Sequence, residues 1–228
     1  MKDNLCFCLL AILLFLIQLI GIPNSAISSQ LFSLTDLGSG NYTFAINNKG
    51  KIAGYSTSPS ELGNNLFIYE DGNINHLGFI GQSGQPYDIN DKGQIVGRSQ
   101  FNIYEPRAFI YKDNHIQIID EFKDTDAYAS SINNNGQVLI NDTSDSYFQK
   151  AFILEKNGTV TPLDKLGLRT WANAINDSGH AVGFSTAGGS GSFIYKNGIM
   201  EHSLIRYPEI QEPDPIRHRL DWTGGNGR

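Results

Sequence analysis

The chain has 228 residues, with 17 lysines and arginines against 23 acids and a net charge of −6. That acidic balance, with no basic cluster, argues against a nucleic-acid partner held through its phosphates. Charged residues are sparse at 18% while glycines number 24, which excludes a disordered polar chain and points to a β-rich one with many tight turns.

Residues 1–28 read as a secretory signal. Lys2 precedes an apolar run over residues 5–22 that is broken only by Gln18. Asn24-Ser25-Ala26 or Ala26-Ile27-Ser28 then supplies a small-x-small cleavage site. The competing reading is an uncleaved membrane anchor, because the run approaches the length of a short transmembrane helix. Cys6 and Cys8 both lie inside the run, so residues 29–228 contain no cysteine. That removes a disulfide framework, a thiol nucleophile and thiolate metal ligands from consideration. Neither cysteine stands just after the apolar run, where a lipoprotein acceptor would. The expected location is extracellular or at the cell surface.

Residues 31–38 (Leu-Phe-Ser-Leu-Thr-Asp-Leu-Gly) resemble a lone outer strand. A repeat follows. Ile46-Asn47-Asn48-Lys49-Gly50 returns as Ile89-Asn90-Asp91-Lys92-Gly93, Ile132-Asn133-Asn134-Asn135-Gly136 and Ile175-Asn176-Asp177-Ser178-Gly179, each copy 43 residues after the last. Asn and Asp close Asx turns on their own backbone, and glycine supplies a positive φ without steric cost. Each motif therefore joins two strands, which we call a and b. A second hairpin, c–d, follows in each copy. Its turns are Asp71-Gly72, Asp113-Asn114, Asn157-Gly158 and Asn197-Gly198. The strands entering them are Phe67-Ile68-Tyr69, Phe109-Ile110-Tyr111, Phe152-Ile153-Leu154 and Phe193-Ile194-Tyr195.

Four short antiparallel strands per copy, at this period, are the pattern of a β-propeller blade. One such sheet cannot bury both faces alone, but stacking in series buries them. Tyr42, Gln85, Tyr128 and Trp171 align between copies, as do Gly54, Gly97, Ile140 and Gly183. Glycine there predicts close approach of backbone or an aromatic ring. Ile140 predicts that the third copy packs differently. Strand parity places the tight a–b and c–d turns at one end of each sheet. The longer b–c loops, at residues 57–66, 99–108, 142–151 and 186–192, lie at the other end, where binding is expected.

The Ile-Asn-[Asn/Asp]-x-Gly core, the Ala-Phe-Ile-Tyr strand and the closing Leu77-Gly78 and Leu163-Asp164 resemble the HAF-repeat family of probable extracellular repeat proteins. The resemblance spans residues 34–204. It implies location and architecture, and it brings no activity with it. The family's His-Ala-Phe tripeptide is altered in every copy, standing as Leu66-Phe67 after Asn65, Arg107-Ala108-Phe109, Lys150-Ala151-Phe152, and Ser192-Phe193 after Gly191.

The register predicts a further copy after residue 204. Residues 205–228 are instead Pro-rich, then charged, then Gly-rich. The abrupt loss of a pattern held for four copies favours a shifted reading frame near residue 205 over a natural irregular terminus.

A search for chemistry finds little. Only Asp91 and Asp177 put acids in the repeated turns, too few for a Ca²⁺ loop, so these are turn formers. His76, His115, His180, His202 and His218 show no metal-ligand spacing. No nucleophile elbow or phosphate loop appears, and Gly188-Gly189-Ser190-Gly191 reads as a b–c loop. Glu105, Asp142 and Asp145 are the acids available for glycoside hydrolysis, and no motif accompanies them. Tyr104, Arg107 and Tyr147, with Phe101 and Phe148, are the ligand-binding candidates, through stacking on sugars or anchoring a protein. Packing between neighbouring units is the plainer role for the aromatics.

The sequence thus predicts an all-β protein of four four-stranded, propeller-like units over residues 29–204, forming an open or closed ring. It predicts a binding or structural role without catalysis, cofactor or metal. The partners to expect are an extracellular glycan or an envelope protein, with self-association through the repeat edges. The alternative is a secreted carbohydrate-active hydrolase using loop carboxylates, although no loop gathers a dense cluster of acids and histidine.

Overall fold

A computed structural model describes residues 34–57, 63–100, 106–163, 169–186 and 191–202. The chain divides into two compact units, Met1–Ser39 and Gly40–Arg228. In the first, residues 34–38 form no strand. The Asp36 carboxylate accepts the Gly38 N–H at 2.8 Å, and Gly38 lies at φ +86°. This Asx turn replaces the lone outer strand expected over residues 31–38, of which residues 31–33 lie outside the described residues.

Among its described residues the second unit holds sixteen strands in four antiparallel sheets, each in the order a–b–c–d. The first contains β1 (Asn41–Ile46), β2 (Ile52–Thr57), β3 (Asn64–Glu70) and β4 (Asn73–Phe79). The second contains β5 (Gln85–Ile89), β6 (Ile95–Gln100), β7 (Pro106–Lys112) and β8 (His115–Ile118). The third contains β9 (Ala127–Ile132), β10 (Val138–Asp142), β11 (Lys150–Leu154) and β12 (Val160–Pro162). The fourth contains β13 (Thr170–Ile175), β14 (Ala181–Ser185), β15 (Gly191–Lys196) and β16 (Ile199–His202). Among the described residues no sheet closes into a ring. The only described helix is a 3-10 turn at Asp120–Phe122.

Three c–d turns have both central residues at positive φ, as a two-residue type I′ turn requires: Asp71 and Gly72, Asp113 and Asn114, Asn197 and Gly198. Asn157-Gly158 behaves otherwise. Only Gly158 has positive φ, and the turn widens to span Glu155 to Thr159 through Gly158 N–H to Glu155 O and Glu155 N–H to Thr159 O.

The inner strand of every sheet carries a bulge at the same place. Phe44, Tyr87, Ser130 and Asn173 are the extra residues, each lacking a partner on strand b.

The sheets pack in series, each strand a lying against the preceding sheet. Three core clusters fill the three junctions. In the first, Ala53, Leu66 and Ile68 of one sheet meet Ile89, Ile95 and Phe109 of the next. In the second, Val96 and Ala108 meet Ala127, Ala129 and Ile132. In the third, Leu139, Ala151 and Ile153 meet Ala172, Ile175 and Phe193. Burial of such side chains contributes roughly 1.5–3 kcal/mol each, so each sheet depends on its neighbours.

The strand-b glycines explain the fully buried phenylalanines on strand c. A Cβ on Gly54 would stand 2.4 Å from Phe67 and 2.3 Å from the Tyr42 carbonyl. One on Gly97 would stand 2.8 Å from Phe109 and one on Gly183 2.7 Å from Phe193. Each ring thus lies flat across strand b in space that only glycine leaves. The third sheet does pack differently. Ile140 fills that space itself and is fully buried, while its partner Phe152 is half-buried and turned against Phe122, 5.2 Å away.

Candidate functional site

The repeated asparagines do more than close turns. In each copy the Asn Oδ1 accepts two N–H groups of its own turn. For Asn90 these come from Lys92 at 3.1 Å and Gln94 at 3.0 Å. The Nδ2 donates to the carbonyl of the same Asn one repeat on. Asn47 reaches Asn90 O at 3.0 Å, Asn90 reaches Asn133 O at 3.0 Å and Asn133 reaches Asn176 O at 2.9 Å.

The next residue builds a second, parallel ladder. The N–H of Asn48 donates to Asp91 Oδ1, that of Asp91 to Asn134 Oδ1 and that of Asn134 to Asp177 Oδ1, at 2.7–2.9 Å. The Asn48 and Asn134 side-chain amides both donate to Asp91 Oδ2. The side-chain bond from Asn48 holds the Asp91 carboxyl below the usual carboxylate range, with its N–H, Asn134 and Lys49 acting the same way and partial burial acting against them. These carboxylates are therefore occupied by amide donors. Among the described residues no group of His, Cys, Asp and Glu could hold a metal.

The four turns together line a cup of about 270 Å³, walled by Ile46, Ile89, Ile132 and Ile175 and their following Asn and Asp residues. A larger groove, about 530 Å³, runs between the second and third sheets. Its floor is apolar, formed by Ile110, Ile118, Ile119, Val138 and Leu154. Lys92, Lys112 and Lys156 line the groove together with Asp113, Asp120, Glu121 and Glu155. The three lysines make no ion pair with a described residue. Glu155 accepts the Gln137 amide at 3.0 and 3.1 Å, which fixes one carboxylate on the groove wall. Among the described residues no aromatic side chain and no histidine lines this groove. It can take up an extended chain of mixed charge, and it presents no nucleophile with an adjacent base.

The sequence candidates lie elsewhere. Tyr104, Phe101 and Glu105 lie outside the described residues. Arg107 is the second residue of β7, half-buried, with Nη1 donating to Thr125 O at 3.5 Å and standing 3.9 Å from Asp126 Oδ1. The Asp126 N–H in turn donates to Ser144 Oγ, so Arg107 is tied to the start of the third b–c loop. Tyr147 is exposed on that loop, and its carbonyl accepts Arg169 Nε at 3.4 Å. Arg107 and the Tyr147 loop thus share one end of the third sheet.

Asp142 and Asp145 shape this loop. Asp142 accepts Ser144 N–H and Oγ–H, and Asp145 accepts Tyr147 and Phe148 N–H. His76 contacts Ser56 Oγ and His115 contacts the Asp113 carbonyl, neither beside a second ligand. The ladders and the groove escaped the sequence reading. The 43-residue phase of two consecutive polar positions was the available signal for the ladders; the groove draws on segments too scattered to leave one.

Neither a protein-family model nor a curated protein matches the chain. Solved structures do. The chain is similar to TolB from Acinetobacter baumannii, at 14% identity and TM-score 0.53, over 71% of this chain and 43% of that one. It is similar to the β-propeller domain of the trilobed protease from Pyrococcus furiosus, at 14% identity and TM-score 0.55, over 75% of this chain and 56% of that one. It is also similar to the acylaminoacyl peptidase of Pyrococcus horikoshii, at 14% identity and TM-score 0.52, over 72% of this chain and 26% of that one. The chain thus spans about half or less of the length of these structures. What it shares with them is the fold, and its four sheets are β-propeller blades.

Proposed function

We propose that the protein is an exported binding module of the HAF-repeat kind, which holds an extended segment of an envelope or extracellular protein between its second and third blades. The observation that carries this reading is the groove itself. Three lysines without an ion-pair partner among the described residues line it together with four carboxylates and five aliphatic side chains. An extended polypeptide presents alternate side chains to such a floor and charges of both signs to its walls. A sugar would ask for a stacking aromatic, and none lines the groove among the described residues. The apolar run of residues 5–22 supports export, and the repeat supplies a rigid scaffold of the kind that carries binding surfaces.

The test is binding of the purified protein to arrays of mixed-charge peptides and of glycans, repeated with Lys112→Glu/Lys156→Glu. Peptide binding weakened at least tenfold by the double substitution is the expected result. Glycan binding that the substitutions leave intact, or that falls with Arg107→Ala or Tyr147→Ala, would move the site to the b–c loop end and sink the proposal.

A further inference from the structure

Each blade junction joins one kind of face on the leading blade to another kind on the following blade, and both kinds recur uncovered at the ends of the array. Ile46 is 65% exposed, whereas its counterparts Ile89, Ile132 and Ile175 are 4%, 4% and 9% exposed beneath a preceding blade. At the other end Val182 is 44% exposed, whereas Ala53, Val96 and Leu139 at the same position are fully buried by a following blade. Phe184 is exposed beside it.

The ladders end in the same complementary way. Asn176 Nδ2 and the Asp177 N–H donate to no described residue. In every earlier copy these two groups donate across the junction. On the first blade the Asn47 carbonyl accepts only the Gly50 N–H of its own turn, and Asn48 Oδ1 accepts no described donor. The fourth blade therefore offers two donors and an apolar face. The first blade offers two acceptors and the matching apolar face.

We propose that two copies of this chain join head to tail, the fourth blade of each packing on the first blade of the other, so that two four-blade arcs close one ring of eight. The new junction continues an interface the chain already makes three times within itself. The ladder bonds carry over from Asn176 to the partner copy's Asn47 and from Asp177 to the partner copy's Asn48. Eight blades lie at the upper end of the usual range of about four to eight. A heterologous contact of this kind closes when its rotation permits, and otherwise grows into a filament.

Light scattering on the size-fractionated full chain, from low to high micromolar concentration, tests this. A species of two copies is expected, with no growth beyond two. A monomer throughout, or a mass that keeps rising with concentration, would overturn the proposal. The polarity is read from two variants on exposed side chains, Ile46→Glu and Val182→Glu/Phe184→Glu, each checked for folding by circular dichroism. Each alone is expected to be monomeric, and an equimolar mixture is expected to recover a dimer through its one unblocked junction. A dimer that survives in either variant alone, or a mixture that stays monomeric, would refute head-to-tail association.

Discussion

Asn90→Asp separates the two jobs of the repeated asparagine. Aspartate keeps an oxygen to accept the Lys92 and Gln94 N–H groups, so the turn survives. It loses the Nδ2 donor that reaches Asn133 O at 3.0 Å and Gln94 Oε1 at 2.8 Å. Asn90 and Asn133 are both buried, so the Asn133 carbonyl is left facing a carboxylate instead of a donor. The Asn133 carbonyl keeps the Gly136 N–H at 3.1 Å but loses its second donor, and Gln94 Oε1 loses its donor as well, at a cost of about 1–3 kcal/mol. A buried charge against that carbonyl brings the expected loss to about 2–4 kcal/mol. For an array of this size that lowers the melting temperature by roughly 5–12 °C.

Asn176→Asp is the control. It keeps the bonds from Ser178 and His180, its Nδ2 has no described acceptor to lose, and the position is exposed. Its cost in the monomer should stay within about 0.5 kcal/mol. The deficit in Asn90→Asp also has a pH signature. Burial beside a carbonyl raises the introduced carboxyl's folded pKa above its unfolded value. The loss is therefore full at neutral pH and shrinks as pH falls through the folded value, where the protonated acid donates again. Urea unfolding of both variants at pH 7 and pH 4.5 decides. Equal losses at the two positions would show that the asparagines only form turns, and the ladder would carry no stability.

Gly97→Ala should destabilise by about 2–4 kcal/mol, because its Cβ would stand 2.1 Å from the Gln85 carbonyl and 2.8 Å from Phe109. Gly50→Ala, with open space around it but φ +78°, should cost only about 1 kcal/mol, and a reversed order in denaturant melts would discount the ring-over-glycine packing. Ser99→Ala should be neutral or stabilising by up to about 1 kcal/mol, since the Ser99 hydroxyl is buried with no hydrogen-bond partner; a clear loss in thermal unfolding would reveal one. Asp91 titrates below its unfolded value. The stability it contributes is present above about pH 4 and is lost as pH falls through the depressed value. Asp91→Asn should accordingly lose less stability than the parent between pH 5 and pH 2, and parallel acid melts would contradict this.

Much of the fold was legible because the repeat forced each local signal to appear four times. Ile-Asn-x-x-Gly marked the a–b turns, and a single departure, Ile140, foretold that the third sheet packs differently. The lone strand at residues 31–38 misled because its apolar alternation outweighed Asp36, whose carboxylate turns the chain at Gly38. Asn157-Gly158 marked its hairpin as the other dipeptides did, but the dipeptide forms a wider turn as readily as a two-residue one, so the turn's width was not legible. The bulges at Phe44, Tyr87, Ser130 and Asn173 were hidden, since no residue type marks them and the inserted residue breaks the alternation by which a strand is read. Asparagine read as a turn former concealed its second partner 43 residues away, a contact that local rules cannot see. The groove was hidden for a related reason, as its walls come from stretches between Lys92 and Gly158 that meet only after the blades stack.

The ladders couple each residue to its own counterpart one copy later, and nothing in them refers to how many copies precede or follow. Duplication or loss of one whole copy in the gene would leave every surviving junction with the partners it needs. An insertion inside an Ile-Asn-x-x-Gly turn would disturb the junctions on both sides of it. The b–c loops contribute to neither ladder, so they are free to diversify in length and sequence. The chain is thus built to vary in two ways at little cost, by the number of its copies and by the loops at one end, while the turns at the other end hold the phase.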